Sequence, residues 1–108
     1  MNHDDAAVVR MEACEKQATH SEYDWMNVYL ADLLIGKLRC RIDRNILTVY
    51  SVQIFPEYQG CGYGLQVVDR LKKDYERIVA DRVRHSAKGF WGKMGFTEQD
   101  DGSYLYEA

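Results

Sequence analysis

The chain has 108 residues, 46% of them apolar and 29% charged; this is one domain's worth, with a feasible single core, and it argues against a disordered or collagen-like chain. With 14 Lys and Arg against 17 Asp and Glu, the formal charge is −3, so nothing in the charge calls for nucleic acid, and the longest apolar run, Leu33-Leu34-Ile35, is far short of a membrane span. Cys14, Cys40 and Cys61 are widely spaced, and no apolar signal segment opens MNHDDAAVVR, which predicts a cytoplasmic protein. Neither these cysteines nor His3, His20 and His85 form a close ligand pair, so no metal site is expected.

Ala6 to Ala13 mixes β-branched and apolar residues with Arg10 and Glu12 on one alternate face, which predicts a first strand. Residues 15–24 break that pattern as a polar loop. From Trp25 to Tyr50 the sequence leans to strand, with Asp43-Arg44-Asn45 as a hairpin turn between Leu33–Ile42 and Ile46–Phe55. A helix over Trp25–Leu38 competes, because Met26, Tyr29, Leu30, Leu33 and Leu34 also fit a helical stripe. Phe55-Pro56 ends the strand. After Gly64, the spacing of Leu65, Val68, Leu71 and Tyr75 is helical, leaving Gln66, Asp69, Arg70, Lys73 and Asp74 for the polar face. Ile78 to Val83 reads as another strand, and Ser86 can cap a short helix running to Met94, with Gly95 as its left-handed terminator. In the tail, Asp101-Gly102 is a hairpin signal before Tyr104-Leu105-Tyr106. These elements define an α/β layer around a central sheet.

The most informative stretch is Ile54-Phe55-Pro56-Glu57-Tyr58-Gln59-Gly60-Cys61-Gly62-Tyr63-Gly64, a strand running through three glycines into a helix. Such a turn aims backbone amides at one point beside the positive end of a helix dipole, which suits a phosphate or pyrophosphate. A tight structural turn explains the glycines equally well when they are taken alone. The run is neither a Walker loop nor GxGxxG.

Gln-x-x-Gly-x-Gly after a Pro-x-Tyr turn resembles the coenzyme A pyrophosphate loop of the GNAT N-acetyltransferase superfamily. Phe90-Trp91-Gly92-Lys93-Met94-Gly95-Phe96 resembles that family's second signature, and the likeness covers roughly residues 33–108. The resemblance implies one GNAT-like domain over residues 1–108: a central mixed sheet, a motif A helix, a short motif B helix and a reduced N-terminal helical region. It implies acetyl-CoA as acyl donor. Gln59, Gly60, Cys61, Gly62, Tyr63 and Gly64 would hold the pyrophosphate, largely through backbone amides, and Ile54 would lie on the strand edge that pairs with the pantetheine arm. The strands of Ile46–Phe55 and Ile78–Val83 would splay to admit the thioester. Gly89 and Gly92 each cost about 1 kcal/mol in a helix relative to alanine, so close packing against the sheet or the cofactor is the expected reason for them.

The sequence departs from the family where chemistry is done. Tyr50 and Ser51 stand where a glutamate base commonly falls, and Trp91 replaces the tyrosine that often protonates the departing thiolate; an indole donates a hydrogen bond but is no practical acid. His85, just before the second signature helix, is the candidate substitute base, and an exposed loop histidine is the competing reading. Tyr104 and Tyr106 can reach the cleft or pack. Only about ten polar residues separate Ala13 from Trp25, so the acceptor side is expected to be open. That suits an amine of a protein or peptide, or an oligomer such as a homodimer that completes the site. Asp4, Asp5, Glu12, Glu15, Glu22 and Asp24 are compatible with a cationic acceptor, and an ordinary solvated surface is the competing explanation. The leading function is an acetyl-CoA-dependent N-acetyltransferase. The alternative is a GNAT-like module that binds coenzyme A or a protein without catalysis, and a nucleotide-phosphate binder ranks third.

Overall fold

The computed structural model describes residues 8–14 and 23–108. Strands β1 (Val9–Ala13), β2 (Asp24–Leu30), β3 (Leu33–Asp43) and β4 (Ile46–Ile54) follow one another antiparallel. Helix α1 (Tyr63–Asp74) then crosses to β5 (Arg77–Ala80), which lies parallel to β4. A short helix α2 (Lys88–Lys93) precedes the hairpin of β6 (Thr97–Glu98) and β7 (Tyr104–Glu107). Among the described residues these strands form one mixed sheet in the order β1-β2-β3-β4-β5-β7-β6. The predicted strand at Ala6 to Ala13 is present from Val9, and Ala6 and Ala7 lie outside the described residues, as do residues 15–22 of the polar loop predicted over 15–24; its last residue, Asp24, instead opens β2, where it pairs with Cys40.

The helix that competed for Trp25–Leu38 does not form; a hairpin turning at Ala31-Asp32 takes its place. The reason is burial with period two. From Gly36 on along β3, after a register shift that leaves Ile35 buried beside it, Gly36, Leu38 and Cys40 are buried, while Lys37 and Arg41 are exposed and Arg39 is half-buried, a pattern that one face of a sheet satisfies and a helix does not. The next hairpin turns at Arg44-Asn45, with Arg44 at φ +58°. Gly36 has a specific reason to be glycine that its sequence context hides: a Cβ there would sit 2.3 Å from the Gln53 carbonyl oxygen across the strand pair.

One face of the sheet carries the core. Val67, Val68 and Leu71 of α1 are buried against Val28, Leu38, Leu47, Val49 and Ile78. Leu65, assigned to this stripe from its spacing, is instead 37% exposed, because the helix starts at Tyr63 and presents Val67 inward. The strand predicted over Ile78–Val83 ends at Ala80, where the chain turns at Asp81-Arg82. Ser86 does not cap the following helix. A 3-10 turn over His85–Ala87 runs into α2, whose N-cap residue Ala87 already has helical backbone angles, and no side chain caps either element. Gly95 does terminate α2, at φ +89°, and Gly102 turns the last hairpin at φ +87°.

Gly89 and Gly92 have open space where a Cβ would go, so close packing within the chain does not account for them. Trp91, Met94 and Phe96 of the same region are buried, and Trp91 meets Phe90 and Phe96 edge to face at centroid distances of 5.2 and 4.9 Å. Tyr104 is a core residue. Tyr106 packs on Phe96 and under the Lys72 ammonium. Both tyrosines pack, and neither lines the cleft described next.

Candidate active site

Strand β4 is paired with β3 from Ile46 to Ile54, but with β5 only from Ile46 to Val49. At that point Arg39 pairs with Ser51 and Cys40 with Val49, leaving Tyr50 as an extra residue in β4. This bulge shifts the pleat by one. Leu47 and Val49 face the core before it, and Val52 and Ile54 pack on the core after it. On the other side the Asp81 amide bonds the Val49 carbonyl at 2.9 Å, and the chain leaves at Arg82, φ +46°. The two strands therefore part at Val49. Between them opens a cleft of about 770 Å³ with Tyr50, Ser51 and Ile54 on one wall, Asp81 to Arg84 on the other, and Phe90 and Trp91 from α2.

The glycine loop closes one end of the cleft, through Gln59 and Gly64. After a 3-10 turn over Pro56–Tyr58, the Gln59 side chain donates to the Ile54 carbonyl at 2.8 Å and ties the loop to the end of β4. Gly60 and Gly62 have φ of +81° and +83°, which only glycine adopts without cost. A Cβ at either would meet no atom of the described residues within 4 Å, so backbone conformation explains these glycines. Gly64 lies against Phe90, 3.9 Å from where its Cβ would be.

The amides of Gly60, Cys61 and Gly62 make none of the backbone hydrogen bonds of the loop. Those of Tyr63, Gly64 and Leu65 belong to the first turn of α1, where a helix has no acceptors of its own. No acidic residue offsets the positive end of this helix. A run of amides without backbone partners at a helix start, in a loop whose Gln59 and Gly64 line the end of the cleft, fits a pyrophosphate. Cys61 is exposed, its Sγ near only the Gln59 carbonyl, which fits a residue that serves through its amide.

Other expected site residues separate. Tyr50 and Ser51 line the cleft at its vertex. His85 is exposed on the 3-10 turn and does not line it, although Arg84 and Ala87 on either side do. Among the described residues the charged lining of the cleft is Arg39, Arg82, Arg84 and Asp81, and neither Glu12 nor Asp24 is part of it. Asp24 spends its carboxylate on the Ile42 amide, Glu12 pairs with Arg10, and Asp4, Asp5, Glu15 and Glu22 lie outside the described residues. The shortened N-terminal wall was predicted over residues that are also largely outside them. Arg39 escaped the sequence reading altogether. The bulge at Tyr50 did leave a trace: apolar alternation steps from Val49 to Val52, three residues where a regular strand steps two.

Among the described residues no group of three His, Cys, Asp or Glu could hold a metal, and no helix is long and apolar enough to cross a membrane. Cys40 is buried, its thiol pushed up to about 12 by burial and then by Asp24, and it donates to the Asp24 carbonyl; it is a packing residue.

The parted strands belong to one mixed α/β sheet, and the chain's likeness to solved acetyltransferase structures gives it the GNAT fold. No protein-family model matches it. Its sequence is 36% identical over 53 residues to an uncharacterized N-acetyltransferase of Oceanobacillus iheyensis, a match covering 49% of this chain and 32% of that protein. It is 30% identical over 73 residues to the [ribosomal protein bS18]-alanine N-acetyltransferase of Haemophilus influenzae, covering 62% of this chain and 50% of that one. The chain thus spans half or less of the length of these relatives. In structure it superposes on the E. coli protein YhhK, solved bound to coenzyme A, with a TM-score of 0.71 at 13% identity, covering 93% of this chain and 98% of that one.

Proposed function

We propose that the chain is an acetyl-CoA-dependent N-acetyltransferase acting on an amine of a protein or peptide. The observation that carries this reading is the meeting of the glycine loop's unused amides with the cleft at the point where β4 loses its neighbour. In it, the amides from Gly60 to Gly64 hold the pyrophosphate, Gln59 holds the loop in shape, and the edge of β4 up to Ile54 receives the pantetheine arm. Acetyl-CoA supplies a thioester whose acyl carbon a neutral amine attacks. Tyr50 and Ser51 offer hydroxyls at the vertex for that amine and for the developing thiolate. The names of the sequence relatives, both N-acetyltransferases, support the reaction class. The three free thiols support the cytoplasm as compartment.

A second reading, a coenzyme A-binding module without catalysis, is favoured by one observation: the cleft's carboxylate, Asp81, lies 3.6 Å from Arg82 and is not placed as a free base. Turnover decides between the two. Thiol release is measured from pH 6 to 10 with a peptide α-amine and a lysine side chain as acceptors. The expected kcat/KM climbs along the acceptor's own titration, because general-base help worth about 10²–10⁴-fold is missing. An inflection near pH 6–7 that His85→Gln abolishes would instead give His85 the base role. Coenzyme A binding without turnover on any acceptor would establish the binding module. Sedimentation with and without acceptor reads whether a homodimer completes the open side.

A further inference from the structure

Arg39 sits where the cleft narrows to its vertex, paired across the strands with Ser51, immediately beside the Tyr50 bulge. Its guanidinium carbon lies 4.9 Å from the centre of the Tyr23 ring, and that ring packs edge to face on Tyr50 at 5.0 Å. The cation is thus held by a face that attracts it but satisfies none of its N–H donors. Its Nε is fully withdrawn from solvent and has no hydrogen-bond partner. Arg10, Arg70, Arg77 and Arg82, by contrast, each have a carboxylate partner. Nε is shut off from the cleft, whereas the terminal nitrogens, which have no acceptor among the described residues, are not withdrawn from solvent; a guanidinium held in place with those N–H groups open is a site prepared for a planar anion.

We propose that Arg39 determines acceptor specificity by binding a carboxylate that the acceptor carries beside its amine. The proposal rests on the acetyl-transfer reading, since it puts the acceptor at the vertex. The donor's phosphates are not the anion it serves: they belong at the glycine loop, beyond Ile54, and three residues of extended strand from Ser51 to Ile54 span about 10 Å. Arg39 therefore reads the end of the cleft where the amine must arrive. A carboxylate beside an amine occurs in an acidic residue at a peptide N-terminus and in a free amino acid, and both sources present the same fork to the guanidinium.

The test uses matched acceptors that differ in one carboxylate: peptides beginning with Asp or with Asn, and glycine against glycinamide. Wild type should favour the acidic member of at least one pair by about tenfold to a hundredfold in kcat/KM, carried by KM, as a charge-assisted hydrogen bond implies; the pair showing the preference identifies the source. Arg39→Gln should erase the preference, Arg39→Lys should restore part of it, and coenzyme A affinity should stay within twofold in both. Arg39→Met should not lower the thermal midpoint, because it removes a donor whose burial without a partner is a cost to the fold. Equal use of both members by wild type, an equal loss on both in Arg39→Gln, or a fall in coenzyme A affinity would each overturn the proposal. Should coenzyme A bind while no acceptor is acetylated, the acetyl-transfer reading fails separately. Calorimetry of the coenzyme A-loaded protein then decides for Arg39: carboxylate-dependent binding that Arg39→Gln abolishes upholds the site, and its absence overturns it.

Discussion

The two flanks of β4 differ over the same stretch of chain. Toward β3 it is paired along its whole length, whereas toward β5 the ladder stops at Val49 and five residues face a cleft. Comparing them shows how a site can be opened in a small sheet without excavating its core. The extra residue Tyr50 keeps Val52 and Ile54 packed inward on the closed flank, while the turn at Asp81-Arg82 takes the other partner away. The apolar cost is small, because what is given up is one run of backbone pairing. Those backbone groups are then available to a ligand that pairs as a strand would.

The sharpest way to break the closed flank is Gly36→Val. With the Gln53 carbonyl 2.3 Å from the added Cβ, the β3–β4 pair has to shift, and a loss of about 2–4 kcal/mol is expected in urea unfolding. Alkaline pH tests the same flank without a new clash. The Cys40 thiol is raised from 9.0 to about 12 in the folded chain, so its contribution is complete below pH 9 and is lost as pH rises from 9 toward 12. Wild-type stability should fall there by up to about 1.4 kcal/mol per pH unit from this group, and Cys40→Ala should show a correspondingly flatter limb in unfolding titrations. On the open flank, Gly62→Asp adds bulk and negative charge beside the loop amides at φ +83°. Coenzyme A affinity should drop at least tenfold, roughly 1.4 kcal/mol or more, by calorimetry. The smallest effect is a gain. Arg44 holds φ +58° in the exposed β3–β4 turn, and Arg44→Gly should raise stability by about 0.5–1 kcal/mol, visible as a higher thermal midpoint.

What could be read from the chain beforehand follows from whether the cause is local. The turns at Arg44-Asn45, Gly95 and Gly102 and the loop at Gly60–Gly64 carry their conformational reason in their own residues, and all were legible. The parity step from Val49 to Val52 was legible too, but Tyr50 was read as a site residue and not as a bulge. Gly36 and Arg39 were not legible, because the first depends on a carbonyl across the sheet and the second on the lack of any acceptor around it. Gly89 and Gly92 show the same divide: the helix penalty is local and legible, whereas packing on the sheet is tertiary, and the described residues leave the space beside both glycines open. His85 was placed by its distance along the chain from the second signature, which fixes the helix start but not the side of the turn that faces the cleft.

The turns joining β2 to β3 and β3 to β4 are two residues each, while β4 reaches β5 only after residues 55–76 have folded back through α1. That difference in connectivity sets an order of assembly. The three-strand meander closes short loops and forms early, and the parallel rungs from Ile46–Arg77 to Val49–Ala80 wait for a long one. The cleft therefore does not exist in the chain until that long closure is made. A ligand that needs both of its walls meets no binding partner before then, so it slows unfolding and leaves the folding rate unchanged.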